Sequence, residues 1–141
     1  MHAVDDIDLT AKEGEFLVLL GPSGCGKTTL MRLIAGLERP TTGDILIDGS
    51  VVTDLPPRVR NIAMVFQSYA LYPHLTVARN ISFPLRAVGT SKKEIRKKVE
   101  WAAGMFGIEP LLDRKPRQLS GGGRQGVARA RAVGREPVAF L

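Results

Sequence analysis

The sequence predicts an α/β fold in which a mixed sheet is flanked by helices and joined to a helical subdomain. Apolar runs of strand length recur in the first part of the chain, and a glycine-rich loop links one of them to an amphipathic helix. From residue 75 to residue 119 the hydrophobic pattern is helical, and another group of glycines precedes one further helix. We therefore expect the chain to divide into residues 1–74, 75–119 and 120–141.

The strands are predicted from apolar runs that are bounded by turn residues. Residues 3–10 and 16–20 favour an antiparallel pair, because the segment between them is short and contains a glycine. Residues 44–49 favour a short strand that ends in an Asp-Gly turn. Residues 61–66 favour a buried strand, and residues 138–141 favour the beginning of another.

The helices are predicted from apolar residues at helical spacing and from capping residues. Thr76 and Ser120 are favourable N-caps, and Ser91 followed by Glu94 forms a capping-box pattern. Gly36 is a favourable residue for the end of the first helix. The apolar residues that mark the helix faces are Leu30, Leu33, Ile34 and Leu37, then Val77, Ile81 and Leu85, and then Ile95, Val99, Ala102 and Phe106.

The composition excludes several classes of protein. With 141 residues, 44% of them hydrophobic and 24% charged, the chain is long enough to bury a globular core. Its one cysteine excludes an internal disulfide framework and is typical of a reducing compartment. No apolar run approaches the roughly 20 residues that a membrane helix needs, so we expect no direct membrane insertion. The net charge of +6 is interpreted as solvated helix faces, and no nucleic-acid partner is expected.

The loop after residues 16–20 has the pattern glycine, four residues, glycine-lysine-threonine, which is typical of phosphate binding. Glycines let backbone N–H groups point at an anion, and the start of the next helix adds unpaired N–H groups. Lys27 can place a positive charge on the outer phosphates, and Thr28 can offer a hydroxyl to Mg²⁺. Cys25 is interpreted as a structural residue. The candidate phosphate-binding residues are Gly21, Pro22, Ser23, Gly24, Cys25, Gly26, Lys27, Thr28 and Thr29.

Two later positions also favour ligand binding. Gln67 directly follows the predicted strand at 61–66, at the edge where ligands bind in open α/β sheets. Three glycines at 121–123 expose backbone N–H groups at a helix start, which favours a second anion site, although a glycine-rich linker is an open alternative. The candidate residues of this second site are Ser120, Gly121 and Gly122.

The order and spacing of these motifs resemble those of the ATPase subunits of ABC transporters. Residues 21–28, Gln67 and the Leu-Ser-Gly-Gly run at 119–122 look like the family's phosphate loop, glutamine loop and signature motif. Residues 66–77, with Asn80 and Ile81 just after them, look like the importers of the family, in the subgroup that drives uptake of sugars and related solutes. The resemblance covers nearly the whole chain and implies a P-loop NTPase core.

The resemblance implies ATP and Mg²⁺ as cofactors and ATP hydrolysis as the activity of the parent protein. Residues 21–29 would hold the phosphates of ATP, with Lys27 taking part in catalysis. Thr28 and Gln67 would contact the metal, and Gln67 would also sense the attacking water. Residues 120–122 would close on the γ-phosphate of ATP that is held by a second, facing ATPase subunit.

The resemblance also implies an architecture and partners. Residues 1–74 would be the first part of the ATP-binding core, and residues 75–119 the subdomain that docks on transmembrane permease subunits. Residues 120–141 would be the signature helix and the start of the next core strand. Two ATP molecules would lie in a head-to-tail dimer on the cytoplasmic, inner face of the cell membrane, held there through the permease.

The chain departs from the family at several places. The family normally has Gln at position 123 and Arg at position 126, where this chain has Gly123 and Gly126, and each helical glycine costs up to about 1 kcal/mol. Its adenine-stacking aromatic residue falls before residue 3 and its catalytic Glu after residue 141, so we expect an N- and C-terminally truncated, incomplete domain. One alternative is a product that binds nucleotide without hydrolysing it. A less favoured alternative is an ABC-type DNA-repair or chromosome ATPase.

Overall fold

The computed structural model describes residues 3–141 and divides into two compact units, one that ends at Arg60 and one that runs from Asn61 to Leu141. The first unit contains helix α1 (Lys27–Ala35), strands β1 (Leu46–Ile47) and β2 (Ser50–Val51), and a 3₁₀ helix (Pro57–Val59). The second unit contains strand β3 (Ile62–Ala63), helices α2 (Val77–Ala87), α3 (Lys92–Phe106) and α4 (Gly121–Val133), and strand β4 (Ala139–Phe140). Two 3₁₀ helices, Glu109–Leu111 and Pro116–Gln118, precede α4. The functional division at residues 74 and 119 stays a prediction.

Helix α1 is bounded by two glycines in the left-handed conformation. Gly26, immediately before it, has φ 94°, and Gly36, immediately after it, has φ 77°. The Gly36 N–H donates to the carbonyls of Arg32 and Leu33, which completes the last turn. A side chain at Gly36 is also excluded by packing, because a Cβ there would lie 2.6 Å from Nε of Arg60. The predicted end of this helix at Gly36 is confirmed.

Arg60 holds the C-terminal end of α1 from within the same unit. The residue is 3% exposed, and its guanidinium donates to the carbonyls of Leu33 and Ile34 at 2.9 and 2.8 Å. It also donates to the carbonyls of Thr53 and Leu55, both at 2.9 Å. Burial lowers the pKa of Arg60, but an arginine starts so high that the group stays charged. Its donors therefore satisfy carbonyls that a helix end leaves unpaired.

Strands β1 and β2 form an antiparallel hairpin, with Leu46 opposite Val51. The turn residues Asp48 and Gly49 have φ 50° and 73°. Two consecutive positive φ values are the requirement of the two-residue turn whose twist matches that of a hairpin. The predicted strand at 44–49 is confirmed in a shorter form, together with its Asp-Gly turn.

The predicted antiparallel pair of residues 3–10 and 16–20 is wrong for this structure. No backbone hydrogen bond joins the two runs in the described chain, and Phe16 and Leu20 are 91% and 88% exposed. An apolar run becomes a strand only where a neighbour pairs its N–H and C=O groups, and neither run has such a neighbour here. The β structure of the described residues consists of one antiparallel and one parallel sheet, each of two strands.

The core of the second unit lies between α2, α3 and α4. The predicted face of α3 is confirmed, because Val99 and Ala102 are buried and Ile95 and Phe106 pack against the same cluster. Short alanine side chains allow the neighbouring helices to approach closely. The residues of this core with 0% exposure are Val77, Ile81, Ala102, Ala103, Val127 and Ala130. Among the residues described, no helix has the length and apolar character that crossing a membrane requires.

Hydroxyl side chains cap α2, α3 and α4, as the sequence predicts. In each case the hydroxyl oxygen accepts from the backbone N–H three residues later, which satisfies a donor that the helix start leaves unpaired. The pairs are Thr76 with Arg79 at 3.3 Å, Ser91 with Glu94 at 3.3 Å and Ser120 with Gly123 at 3.1 Å.

Strands β3 and β4 are parallel, and the three helices of the second unit lie between them in the chain. Ile62 is opposite Ala139. Backbone bonding continues beyond β3 to Val65, whose N–H donates to the carbonyl of Leu141 at 2.8 Å. The two predicted strands of this unit are confirmed, each shorter than its run of apolar residues.

Candidate functional site

Residues 21–26 form a loop that leads directly into the N-terminus of α1. Gly24 and Gly26 have φ 81° and 94°, a conformation that residues with a Cβ rarely adopt. Gly26 provides no side-chain cap, and among the described residues the N–H groups of residues 27–29 have no backbone partner. Free donors at the positive end of a helix dipole suit an anion.

Lys27 closes this loop with its ammonium group. Nζ donates to the carbonyls of Gly21 and Pro22, both at 2.7 Å, and lies 3.4 Å from Sγ of Cys25. An ammonium has three donors and no acceptor. Because charged oxygens accept more strongly than neutral carbonyls, phosphate oxygens can replace these partners. The loop therefore contains a positive charge as well as free N–H groups.

Gly21 and Cys25 lie against each other within the loop. A Cβ at Gly21 would come within 2.6 Å of Sγ of Cys25, so a side chain at position 21 would force the loop to change shape. Cys25 is an exposed free thiol. Its contact with Gly21 gives the thiol a packing role in the loop.

The hydroxyl of Thr28 fits a cation that binds together with phosphate. Thr28 is exposed on the first turn of α1. In the part of the chain that the structure describes, no cluster of three or more His, Cys, Asp or Glu side chains could hold a metal. Mg²⁺ prefers oxygen ligands and usually keeps several waters, so one hydroxyl beside phosphate oxygens is an appropriate ligand set.

Gln67 lies in the second unit, in an exposed turn that follows the β3 pairing. The N–H of Tyr69 closes this turn by donating to the carbonyl of Phe66 at 2.9 Å. Tyr69 and Ala70 both have positive φ, 64° and 45°. The predicted position of Gln67 just beyond the end of a strand is confirmed, and its role stays a prediction.

Two residues to which the sequence analysis assigned no role hold the segment after β3. The guanidinium of Arg131, on α4, donates to the carbonyls of Ala70 at 2.8 Å and Tyr69 at 3.1 Å. Asn80 is 0% exposed, and its side-chain oxygen accepts from the N–H of Tyr72 at 2.8 Å. Arg131 and Ala70 are 61 positions apart, so no local pattern could have predicted their contact.

The glycines at the start of α4 differ in the space around them. Apart from its chain neighbours and the backbone of its own helix, a Cβ at Gly121 or Gly122 would meet no described atom within 4 Å. At Gly123 a Cβ would lie 3.4 Å from its nearest neighbours, and at Gly126 it would lie 3.1 Å from a methyl group of Ile108. Packing within the described chain therefore does not require glycine at positions 121 and 122, whereas a larger residue at position 126 would need Ile108 to shift.

A glycine loop followed by lysine and threonine at the head of a helix, in a chain of α/β type, defines a P-loop nucleotide-binding protein. Residues 4–141 match the family model described as ABC transporter. Because this match covers nearly the whole chain, the chain belongs to the ABC transporter family. Membership implies that the nucleotide it binds is ATP or ADP.

Curated relatives include ATP-binding proteins of import systems. The sn-glycerol-3-phosphate import ATP-binding protein UgpC of Yersinia enterocolitica is 56% identical over 138 residues, which cover 98% of this chain and 38% of that protein. The alpha-glucoside transport ATP-binding protein AglK of Rhizobium meliloti is 58% identical over 141 residues, which cover 100% of this chain and 39% of that protein. The chain therefore spans less than half the length of these relatives.

Solved structures of an ATP-binding cassette have the same fold. The dimeric post-hydrolysis state of the cassette MJ0796, bound to ADP and Pi, matches with a TM-score of 0.88 and 37% identity, over 99% of this chain and 64% of that one. A second dimeric structure of MJ0796, described as a bacterial ABC transporter cassette, matches equally well. The predicted α/β fold class, with its P-loop NTPase core, is confirmed, and so is the resemblance to importer ATPase subunits.

Proposed function

We propose that the protein carrying this sequence is the ATP-binding subunit of an importer, which couples ATP binding and hydrolysis to uptake of a sugar or a related small solute. The observation that carries the proposal is the phosphate loop, where free N–H groups and the Lys27 ammonium lie at the head of α1. The import systems named for UgpC and AglK supply the substrate class.

The phosphate loop binds ATP through backbone and charge together. The N–H groups of residues 27–29 surround the phosphates, and Lys27 exchanges its carbonyl partners for phosphate oxygens. The remaining loop residues, from Gly21 to Gly26, shape the backbone around the ligand. The positive φ values of Gly24 and Gly26 support this assignment, because they keep the loop in a conformation that residues with a Cβ resist.

Mg²⁺ completes the nucleotide site in this proposal. Thr28 would provide one oxygen ligand from the chain, and the family resemblance assigns Gln67 a polar contact with the metal and the attacking water. When bound, the cation would neutralise charge on the phosphates, which phosphoryl transfer requires together with positioning of the reacting groups. The exposure of Thr28 and of Gln67 supports these roles, because both side chains are accessible to a ligand.

Residues 120–122 contact ATP that is bound by a second copy of the subunit, in a head-to-tail dimer. Space around Gly121 and Gly122 supports this assignment, because the described chain fills none of it within 4 Å of an added Cβ. Bare backbone N–H groups at a helix start attract phosphate. MJ0796, which has the same fold, is dimeric in its ADP-bound structure.

The helical segment at 75–119 docks on transmembrane permease subunits, which hold the protein at the cytoplasmic face of the cell membrane. A surface groove supports this role by combining apolar and basic side chains, and Phe83 within it is 44% exposed. Aromatic and arginine residues are enriched in protein interfaces. The groove is lined by His74, Leu75, Arg79, Phe83, Arg86 and Ala87.

A second candidate function is nucleotide binding without hydrolysis. Gly123 and Gly126 favour it, because both stand inside α4 where the family normally has Gln and Arg. With glycine at these two positions, the chain lacks two polar side chains next to the residues proposed to contact the facing nucleotide. Such a protein would bind ATP and would not turn it over.

The test measures ATP binding by calorimetry and phosphate release for the protein assembled with its permease. We expect turnover that Lys27→Ala abolishes and that Lys97→Ala, an exposed lysine on α3, leaves unchanged. Binding without phosphate release would favour the second function. Absence of both binding and turnover would contradict both proposals.

A further inference from the structure

The side chain of Arg131 joins the last turn of α4 to the segment that follows Gln67. One guanidinium nitrogen donates to the carbonyl of Ala70 at 2.8 Å, and the other terminal nitrogen donates to the carbonyl of Tyr69 at 3.1 Å. The guanidinium carbon also lies 5.8 Å from the centre of the Tyr72 ring, within the range of a cation–π contact. The side chain of Arg131 therefore contacts three residues of the segment 69–72.

The backbone that Arg131 holds is in an unfavourable conformation. Tyr69 and Ala70 have φ 64° and 45°, and neither is a glycine. Residues with a Cβ are disfavoured in the left-handed region of backbone conformation. They keep that conformation only where surrounding contacts fix the backbone. The two carbonyls bound by Arg131 belong to these same two residues.

We propose that Arg131 is a positioning residue for Gln67, and this inference rests on the proposed function. By fixing the carbonyls of Tyr69 and Ala70, Arg131 sets the direction in which the chain leaves the Gln67 turn. Helix α4 begins at the glycines that are proposed to contact the facing nucleotide and ends near Arg131. The signature residues and the segment after Gln67 are therefore both attached to α4.

A guanidinium suits these contacts better than an ammonium does. Its planar fork presents separate donors to two carbonyls at once, whereas a lysine ammonium is a point charge that would favour one of them. Burial lowers the pKa of Arg131 and the nearby Tyr72 opposes this effect, but the group stays charged because arginine starts so high. A lysine in its place is expected to retain part of the effect.

The first experiment measures amide hydrogen exchange across residues 66–72 in the full protein. Arg131→Leu is expected to speed exchange there by about tenfold, because hydrogen bonds from a charged donor are lost. Arg131→Lys should give a smaller increase and keeps the proposal testable if the leucine variant does not fold. Arg129→Leu is the matched control, since Arg129 is an exposed arginine on the same helix. Unchanged exchange at 66–72 in a folded Arg131 variant would overturn the proposal.

The second experiment separates positioning from general stability through the kinetics of ATP hydrolysis. Arg131→Leu is expected to lower kcat by about tenfold with little change in KM, because it displaces Gln67 and leaves the phosphate loop intact. Arg131→Lys should recover part of kcat. A rise in KM with kcat unchanged would overturn the positioning role. If the unaltered protein does not hydrolyse ATP, the proposed function fails, and the exchange measurement still decides whether Arg131 fixes the segment.

Discussion

The chain contains two glycine-rich helix starts, which differ in whether their first backbone N–H groups have a hydrogen-bond acceptor. Ahead of α1, Gly26 is left-handed and provides no cap, so the first N–H groups of that helix are free within the described chain. Ahead of α4, the hydroxyl of Ser120 already accepts from the N–H of Gly123. The first start also contains the charge of Lys27, whereas the second has three glycines with open space around two of them.

Glycine has a different effect at each of these helix starts. At Gly26 it allows a backbone conformation that other residues resist. At Gly121 and Gly122 the backbone is ordinary helix, and the missing side chain only leaves space at the surface. The first start leaves helix N–H groups free within the described chain, and the second leaves space beside two of its glycines.

The largest loss of stability is expected from a substitution of Arg60, which bonds to carbonyls at the C-terminal end of α1. Arg60→Met should lower the free energy of unfolding by about 4 kcal/mol, because several carbonyls lose a buried, charged donor. Urea denaturation of the protein measures it. Arg58→Met, at an exposed arginine in the same unit, should change stability by less than about 0.5 kcal/mol. Equal effects of the two variants would show that the helix does not depend on Arg60.

The next effect tests the left-handed glycine itself. Gly26→Ala should destabilise the protein by about 2 kcal/mol, since a Cβ there is strained at φ 94° and meets the carbonyl oxygen of Ala3. It should also weaken ATP binding. Calorimetric titration with ATP, alongside urea denaturation, measures both quantities. Unchanged stability would mean that the conformation at Gly26 does not need glycine.

A smaller effect tests the cap that only the second start has. Ser120→Ala should cost about 1 kcal/mol of stability, because the N–H of Gly123 loses its acceptor. Ser120→Thr should retain most of the stability. At the first start, Ser23→Ala should change stability little, because Ser23 is exposed and is not the N-cap of α1. An equal loss of stability in Ser120→Ala and Ser23→Ala would show that the Ser120 cap does not distinguish the two helix starts.

The smallest effect has the opposite sign. Gly122→Ala should stabilise the protein by about 0.5 kcal/mol, because alanine is a better helix former than glycine and no described atom lies within 4 Å of the new Cβ. The same change should reduce ATP-dependent dimerisation, which analytical ultracentrifugation with and without ATP measures. Destabilisation would show that glycine at position 122 serves the fold of this chain rather than an approaching partner.

The features that could be predicted from sequence are those with local causes. The end of α1 at Gly36, the Asp-Gly turn of the hairpin and the cap at Ser120 each depend on residues a few positions apart. The position of the glycine loop at the head of α1 could be predicted for the same reason, because its residues form one continuous stretch.

The features that could not be predicted depend on residues distant in sequence. Residues 16–20 have the composition of a strand, but a strand also needs a pairing partner, which composition does not provide. Arg60 bonds to a carbonyl 27 positions away, and Arg131 to one 61 positions away. A charged residue in a sequence gives no sign that it will be buried against backbone carbonyls, so both arginines were missed.

The parallel pairing of β3 with β4 has a consequence for the order of folding. Ile62 meets Ala139, and the whole of α2, α3 and α4 lies between them in the chain. Bringing these two strands together closes a long loop, and the entropy lost is too large for so short a strand pair to offset. We therefore expect the helices to pack first and to bring the strands together. During synthesis β3 leaves the ribosome well before β4, and it stays without this partner until the last helix has been made.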